Sequence, residues 1–402
     1  MASVAPRPTL MFAIASDDPQ AVRAVLANGE VGPNDQIGPQ SALEFALTTG
    51  SLTNRTEIVK TLLEYGAEPP SKAEQQRTAD PTASSGQSPP PAASSILDSL
   101  DPATRYYVQK AGDENTRRNS ALIHRSFFRP LTRVRYDLIG QDRALEQLFR
   151  VLSMHSQQFS VAPVVVLLCG PSGHGKTYLA QKFGSLLKVP SITVNMTTLR
   201  NAQDLWQAYS TDPDSTASNH TLADFLLENE GKRCVVLLDE IEKTQDDKAL
   251  WALHMPWEMG RCAFEAGRRH VDVRNVIWLA TSNIGQELIF EHHSSRREQE
   301  FSMTREEYLD LMASLRPQVS GRLGTSLLSR VTTVLPFVPF TEEERMAIAG
   351  EAALHVGGDM ARSLPPETMR HIVKQAAGAG YIPSEGARSL YRDVAVRLMD
   401  AL

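Results

Sequence analysis

The sequence predicts an α/β fold: a parallel β-sheet flanked by helices, with an all-α region before it and a helical region after it. Two continuous apolar segments, residues 164–169 and 234–238, have the length and β-branched content of strands buried on both faces. The first segment leads through a glycine-rich turn into Leu179, Phe183 and Leu187, which recur at helical spacing. Strand–turn–helix units of this kind build parallel sheets, so these observations set the fold class.

Composition limits the classes of protein to which the chain can belong. The length of 402 residues allows two or three domains. Of these residues, 42% are hydrophobic and 22% are charged, which are values close to those of soluble globular proteins. The 41 Lys and Arg residues and 47 Asp and Glu residues give a net charge of −6. Because a strongly basic surface is the usual sign of nucleic-acid binding, we expect no nucleic-acid partner.

Three sequence features bear on the cellular compartment. The sequence has no run of about 18 apolar residues, so we expect no membrane-spanning segment. Its three cysteines, Cys169, Cys234 and Cys262, lack metal-binding spacing and are too few for a disulfide framework. The first residues have neither the apolar core of a signal peptide nor the features of a good mitochondrial presequence. These features predict a cytoplasmic or nuclear protein.

An internal repeat marks the amino-terminal region. Residues 9–14 and 42–47 are similar and begin 33 residues apart, and residues 21–29 are similar to residues 58–66. A period of 33 is typical of ankyrin repeats, so residues 1–67 are predicted to form two ankyrin-like units of short amphipathic helices. An unrelated four-helix cap is the alternative. Because about three repeats are normally needed to bury a core, the pair should lean on another segment or bind a protein partner.

Two segments separate this region from the predicted sheet. Residues 68–95 contain no Ile, Leu, Val, Met or aromatic residue and are predicted to be a disordered linker. Residues 96–133 combine scattered apolar positions with several arginines. We interpret them as a helical extension, with a basic docking surface as the alternative.

The glycine-rich turn after the first predicted strand has the sequence GPSGHGKT and fits the phosphate-binding pattern GxxxxGK[ST]. Glycines let backbone N–H groups and the following helix N-terminus face phosphate groups. Lys176 would contact the β- and γ-phosphates, and Thr177 would be a ligand of Mg²⁺. The turn therefore predicts a site for ATP and Mg²⁺. Its nucleotide-binding residues are Gly170, Pro171, Ser172, Gly173, His174, Gly175, Lys176 and Thr177.

Asp239 and Glu240 follow the second predicted strand. A carboxylate at the carboxyl end of a strand beside a phosphate loop can hold Mg²⁺ through water, which is the role predicted for Asp239. The next carboxylate can orient or deprotonate the attacking water, which makes Glu240 a candidate catalytic residue. An acidic pair in this position can also be a simple cap, but the preceding phosphate loop favours the catalytic interpretation.

Three segments of this sequence resemble the AAA+ ATPases: GPSGHGKTYLA, VVLLDEIEK and WLATSNIG. DEIEK and TSNIG are similar to the second nucleotide-binding domain of Clp-type unfoldases and disaggregases. The resemblance covers about residues 136–402 and implies a large ATPase domain at 134–340 and a small helical lid at 341–402. It also implies ATP hydrolysis by a homo-oligomeric ring, expected to be a hexamer, that remodels protein substrates.

The same resemblance implies roles for four further residues. Asn283 would be sensor 1, which contacts the γ-phosphate or the attacking water, although it could instead cap the next helix. Ile139 would contact adenine. Arg330 would be an arginine finger that acts on a neighbouring subunit, although Ser329 stands where the family has Asn, and an arginine before a strand is ordinarily a surface residue. Arg388 would be sensor 2 and reach back to the phosphates.

Two hypotheses about function remain open. The first is a chaperone or disaggregase whose ankyrin-like repeats act as an adaptor or assembly module. The second is a nucleotide-gated ankyrin scaffold that threads no polypeptide. The family's Gly-Tyr-Val-Gly-like pore loop is absent, and besides His220 only Trp206 and Tyr209 are aromatic between Met196 and Leu222. Tyr209 is therefore the candidate residue for gripping a threaded polypeptide. Packing against helices is the alternative role for both Trp206 and Tyr209.

Overall fold

The structure is a computed structural model, and it describes residues 10–29, 31–35, 40–69, 97, 100–157, 162–211, 220–264, 269–296 and 302–401. Most of the predicted linker, residues 70–95, lies outside the described residues, as do residues 212–219 after Tyr209. Within the described part of the chain, no helix is long and apolar enough to cross a membrane. Two compact units make up the chain.

The first unit comes from residues 1–118, 343–381 and 390–402, and the second from residues 119–342 and 382–389. Helices occur in both units. In chain order they are α1 (Leu10–Ala15), α2 (Pro19–Ala27), α3 (Ala42–Thr48), α4 (Arg55–Glu64), α5 (Pro102–Gly112), α6 (Glu114–Leu122), α7 (Asp142–Gln157), α8 (Lys176–Leu187), α9 (Ala202–Gln207), α10 (Leu222–Glu228), α11 (Lys248–Trp251), α12 (His254–Met259), α13 (Gln286–Ser295), α14 (Arg305–Leu323), α15 (Thr325–Leu328), α16 (Glu342–Ser363), α17 (Pro366–Gly378) and α18 (Ala387–Asp400).

The strands belong to the second unit and form a parallel five-stranded sheet and a separate antiparallel pair. They are β1 (Val164–Cys169), β2 (Ser191–Asn195), β3 (Cys234–Asp239), β4 (Arg261–Phe264), β5 (Arg269–Asp272), β6 (Val276–Ser282) and β7 (Thr333–Pro336). The five-stranded sheet has the order β2-β3-β6-β1-β7, and β4 pairs with β5. The predicted parallel sheet flanked by helices is thereby confirmed.

Burial on both faces explains why the central strands read as continuous apolar segments. All six residues of β1 are buried. Val165, Leu167 and Cys169 belong to one hydrophobic cluster, and the alternating residues Val164, Val166 and Leu168 belong to another. Since successive side chains of a strand point to opposite faces, each face of the sheet needs its own apolar set.

The four amino-terminal helices α1–α4 occur at the positions that the internal repeat predicts. Each of these helices buries apolar residues, among them Leu10, Val22, Leu43 and Ile58. The amino-terminal region is thus helical, while its assignment as ankyrin repeats stays a prediction.

A buried polar cluster joins α4 to α5 and α16 within the first unit. The Lys60 ammonium group donates to the Glu351 carboxylate at 2.9 Å, and the Tyr107 hydroxyl donates to the same oxygen at 2.5 Å. Thr56 and Thr104 share a further hydrogen bond of 2.8 Å. The structure groups these segments in one unit, and the predicted domain boundaries stay a prediction.

Candidate functional site

Three strands of the sheet end at one edge, and most of the predicted site residues lie at or just after their carboxyl ends. Cys169, the last residue of β1, is aligned with Ser282 of β6, and Leu238 of β3 is aligned with Ala280 of β6. Since these strands are parallel, the segments after their carboxyl ends meet at the same edge. This edge is where open parallel sheets bind ligands.

The turn from β1 to α8 depends on glycine at positions where the backbone is left-handed and crowded. Gly173 has a φ of 75°, and a Cβ atom there would overlap the carbonyl oxygen of Glu385. Gly175 has a φ of 90° and faces the side chain of Leu138. A side chain at either position would therefore displace its neighbours, and glycine preserves the loop conformation in which N–H groups can face a phosphate.

Lys176 begins α8 and is 7% exposed. Its ammonium group donates to the carbonyl oxygens of Gly170 at 2.6 Å and Pro171 at 2.8 Å, and to the side-chain oxygen of Asn283 at 3.1 Å. Burial lowers the pKa of Lys176 to about 8, because a charged ammonium group loses solvation in this position. A phosphate group would supply the negative charge that these neutral acceptors lack.

Thr177 and Asp239, the predicted Mg²⁺ ligands, lie together. The Thr177 hydroxyl donates to Oδ1 of Asp239 at 3.1 Å, and the Thr281 hydroxyl donates to the same oxygen at 2.6 Å. Hydroxyl and carboxylate oxygens are the donors that Mg²⁺ prefers in proteins. The residues present therefore fit the metal ion that the sequence predicts.

Glu240 follows Asp239 with φ 59° and ψ 51°, a left-handed conformation that is uncommon outside glycine. Its backbone N–H donates to the Thr281 hydroxyl at 3.0 Å. Its carboxylate accepts a hydrogen bond from the ammonium group of Lys243 at 2.6 Å and remains partly exposed. The candidate catalytic carboxylate is thus held at the same edge as Lys176 and within reach of water.

Asn283 follows β6 and contacts two charged residues. Its side-chain oxygen accepts from Lys176, and its backbone N–H donates to the Glu242 carboxylate at 2.9 Å. The next helix, α13, has Gly285 at its N-cap and no side-chain cap. The side chain of Asn283 is therefore directed to the phosphate loop and does not cap α13.

Arg388 lies at the phosphate loop, in the short segment of residues 382–389 that belongs to the second unit. Its guanidinium group donates to the Ser172 hydroxyl at 3.0 Å, and the adjacent Ala387 N–H donates to the Gly173 carbonyl at 2.9 Å. A residue more than 200 positions from the loop thus brings a second cation to it.

Ile139 and His174 are buried residues of the predicted nucleotide site. In the segment of Ile139, the Gln141 side-chain amide bonds both backbone groups of Val338, at 3.0 and 3.1 Å. The His174 ring is stacked on Phe340 with centroids 4.8 Å apart. Burial lowers the pKa of His174 to about 4, so this side chain is neutral at physiological pH and packs inside the loop.

Arg330 lies apart from the predicted site residues at the phosphate loop. It precedes β7, and β7 is parallel to β1, so Arg330 lies toward the edge of the sheet opposite to the phosphate loop. Its guanidinium group pairs with the carboxylate of Glu258 at 2.5 Å. The structure therefore brings Asp239, Asn283 and Arg388 to the phosphate loop, whereas Arg330 lies away from it.

Three further residues have a place in this site that the sequence does not predict: Glu242, Lys243 and Thr281. Each lies inside one of two motifs that resemble the AAA+ ATPases, DEIEK or TSNIG. The motifs were the available signal, but which of their side chains contact Asp239, Glu240 and Asn283 depends on the pairing of β3 with β6.

A phosphate loop between β1 and α8, with carboxylates at the carboxyl end of β3 and a polar residue after β6, defines a nucleotide-binding ATPase site. Residues 162–326 match the family model of the AAA domain (Cdc48 subfamily). Residues 162–326 thus form an AAA domain, and the chain is an ATPase, as the sequence predicts.

Solved structures of similar fold include two of Hsp104. A closed-state cryo-electron microscopy reconstruction of Hsp104 with ATPγS and FITC casein has a TM-score of 0.51 and 20% sequence identity, covering 75% of this chain and 52% of that chain. The S. cerevisiae Hsp104–casein complex in its extended conformation has a TM-score of 0.49 and 21% identity, covering 71% and 47%. This chain thus spans about half the length of the Hsp104 chains it matches, and the first similarity supports the AAA+ fold.

Proposed function

We propose that this ATPase is a protein-remodelling chaperone or disaggregase of the Clp type that works as a ring-shaped homo-oligomer. The observation that carries the proposal is the position of Arg330. Strand β1 has six residues and spans about 20 Å, which is far longer than an arginine side chain. Arg330 lies toward the opposite edge, so it would not reach the phosphate loop of its own subunit. An arginine finger at this position could instead contact the phosphates bound to a neighbouring subunit.

The residues at the phosphate loop have complementary roles in this proposal. Lys176 and Arg388 bind phosphate charge, and Asn283 orients the γ-phosphate or the attacking water. Glu240 accepts a proton from that water as it attacks. Thr177 and Asp239 would hold Mg²⁺, which supplies further charge neutralisation when bound. Arg330 from the adjacent subunit would stabilise charge that develops in the transition state, and Ile139 would contact adenine.

The similarity to the closed-state Hsp104 structure supports protein substrates, since that structure was determined with FITC casein. The test combines two measurements on one sample. Native mass is determined with and without ATP, using Glu240→Gln to retain the nucleotide, and the recovery of an aggregated reporter enzyme is followed with wild type and ATP. Assembly to a ring and recovery of the reporter are expected. A chain that stays monomeric with ATP would contradict the ring.

The absence of the usual aromatic pore loop favours a second candidate, a nucleotide-gated scaffold. In that case ATP controls assembly or partner binding through the amino-terminal helices, and no polypeptide is threaded. Assembly with ATP but no recovery of any aggregated or unfolded test protein would favour this candidate. Recovery of the reporter would exclude it.

A further inference from the structure

Thr281 is the next-to-last residue of β6 and is 2% exposed. Its hydroxyl group makes two hydrogen bonds to consecutive residues at the carboxyl end of β3. It donates to Oδ1 of Asp239 at 2.6 Å, and it accepts from the backbone N–H of Glu240 at 3.0 Å. The hydroxyl proton is thus donated to the predicted Mg²⁺ ligand, and one lone pair accepts the backbone N–H of the predicted general base.

Glu240 lies where the sheet no longer fixes the backbone. The last aligned residue of β3 is Leu238 on the β6 side and Asp239 on the β2 side, so Glu240 is the first residue beyond the sheet. Glu240 is also one of three residues other than glycine with a positive φ in the described part of the chain. Such a conformation is unfavourable for a residue with a side chain and persists only where surrounding contacts hold it.

The backbone conformation of Glu240 determines where its carboxylate points, because φ and ψ set the direction of the Cα–Cβ bond. A hydrogen bond that holds the Glu240 N–H therefore holds the direction of the side chain as well. Without the Thr281 hydroxyl, Asp239 keeps its bond from Thr177, whereas the Glu240 N–H loses this acceptor. The effect of removing this hydroxyl should thus fall on Glu240 more than on Asp239.

We propose that Thr281 is a positioning residue for Glu240, whose backbone it fixes so that the carboxylate meets the attacking water. This inference rests on the proposed role of Glu240 as the general base. Packing alone does not require the hydroxyl, since valine has nearly the same shape and suits a buried strand. A buried hydroxyl is costly unless it is hydrogen-bonded, and both bonds of Thr281 go to the catalytic segment.

The test compares Thr281→Val, which removes the hydroxyl, with Thr281→Ser, which keeps it. ATP turnover is measured as kcat and KM, together with the Mg²⁺ concentration that gives half-maximal rate. Thr281→Val should lower kcat by about 10- to 100-fold, because small misplacement of a catalytic group has effects of this size. The KM for ATP and the Mg²⁺ dependence should change less than about twofold, and Thr281→Ser should restore most of kcat. An unchanged kcat, or a loss confined to KM or to Mg²⁺ dependence, would overturn the proposal.

A double variant separates this inference from the proposed role of Glu240. If Thr281 acts through Glu240, Thr281→Val should reduce the residual rate of Glu240→Gln by less than about threefold. Multiplied losses would refute the positioning role while leaving Glu240 as the base. Wild-type turnover by Glu240→Gln would instead refute the role of Glu240. Binding of fluorescent ADP verifies folding, and if Thr281→Val fails to bind it, Thr281→Ala is compared with Thr281→Ser by the same criteria.

Discussion

The ammonium group of Lys176 is partly removed from solvent by the fold even without a bound phosphate. Its three acceptors are neutral oxygens, and burial lowers its pKa to about 8. The protonated form, which binds phosphate, therefore dominates below pH 8 and is lost as the pH rises through this value.

We accordingly predict that affinity for ADP falls by roughly tenfold or more between pH 7.5 and 9.5, because binding is linked to protonation of Lys176. Fluorescence titration with labelled ADP measures this dependence. Lys176→Ala should bind weakly throughout and lose the pH dependence. Lys182→Ala is the matched control, since Lys182 pairs with Asp137 and contacts no residue of the phosphate loop among its described bonds. Affinity of wild type that is constant over this pH range would contradict the prediction.

The junction of α4, α5 and α16 is held by a lysine, a glutamate and a tyrosine in a mostly buried place. Removing one partner of a buried ion pair leaves the other charge without compensation. We therefore predict that Lys60→Met lowers the free energy of local unfolding of α4, α5 and α16 by about 2 to 4 kcal/mol.

Hydrogen exchange followed by mass spectrometry measures this change helix by helix. The control is Lys248→Met, which removes an exposed lysine with a weak partner at 3.8 Å and should cost less than about 0.5 kcal/mol. Unaltered exchange in α16 of the Lys60→Met protein would mean that the cluster does not hold these helices together.

The elements that the sequence predicts best are those with a strong local pattern. Continuous apolar segments predict β1 and β3, and the phosphate loop between β1 and α8 has its own residue pattern. The contact between Lys60 and Glu351 could not be predicted in this way, because the residues are 291 positions apart. The same holds for Thr281 at Glu240, since no local period specifies which strands become neighbours.

At the scale of the whole molecule, an ATPase that pulls on a substrate polypeptide needs an apolar side chain that can contact that polypeptide. Tyr209 is 62% exposed, whereas the Trp206 ring packs edge-on against Phe264 with centroids 5.2 Å apart. Exposure therefore favours Tyr209 over Trp206 as the residue that contacts a substrate.

We predict that Tyr209→Ala abolishes recovery of an aggregated reporter while ATP turnover stays within about twofold of wild type, because Tyr209 lies outside the phosphate site. Tyr209→Phe is the matched control and should retain recovery, since the aromatic ring is kept. If Tyr209→Ala recovers the reporter as wild type does, another residue grips the substrate or none does.

The proposed ring shares each active site between two subunits, with Glu240 on one and Arg330 on the next. Arg330→Ala and Glu240→Gln chains should each turn over ATP slowly when alone. Arg370→Ala serves as a control for loss of a surface arginine, because Arg370 pairs only with Glu367 among its described bonds, and this variant should remain active.

The most direct test is to mix the Arg330→Ala and Glu240→Gln chains and measure ATP turnover as a function of their ratio, with subunit exchange verified by native mass. In a mixed ring, an Arg330→Ala subunit keeps Glu240 and can receive Arg330 from a Glu240→Gln neighbour. At equal amounts, about a quarter of the sites should regain both residues, so turnover should rise well above that of either chain alone. Turnover that stays at the level of the single variants at every ratio, in rings shown to be mixed, would contradict the shared site.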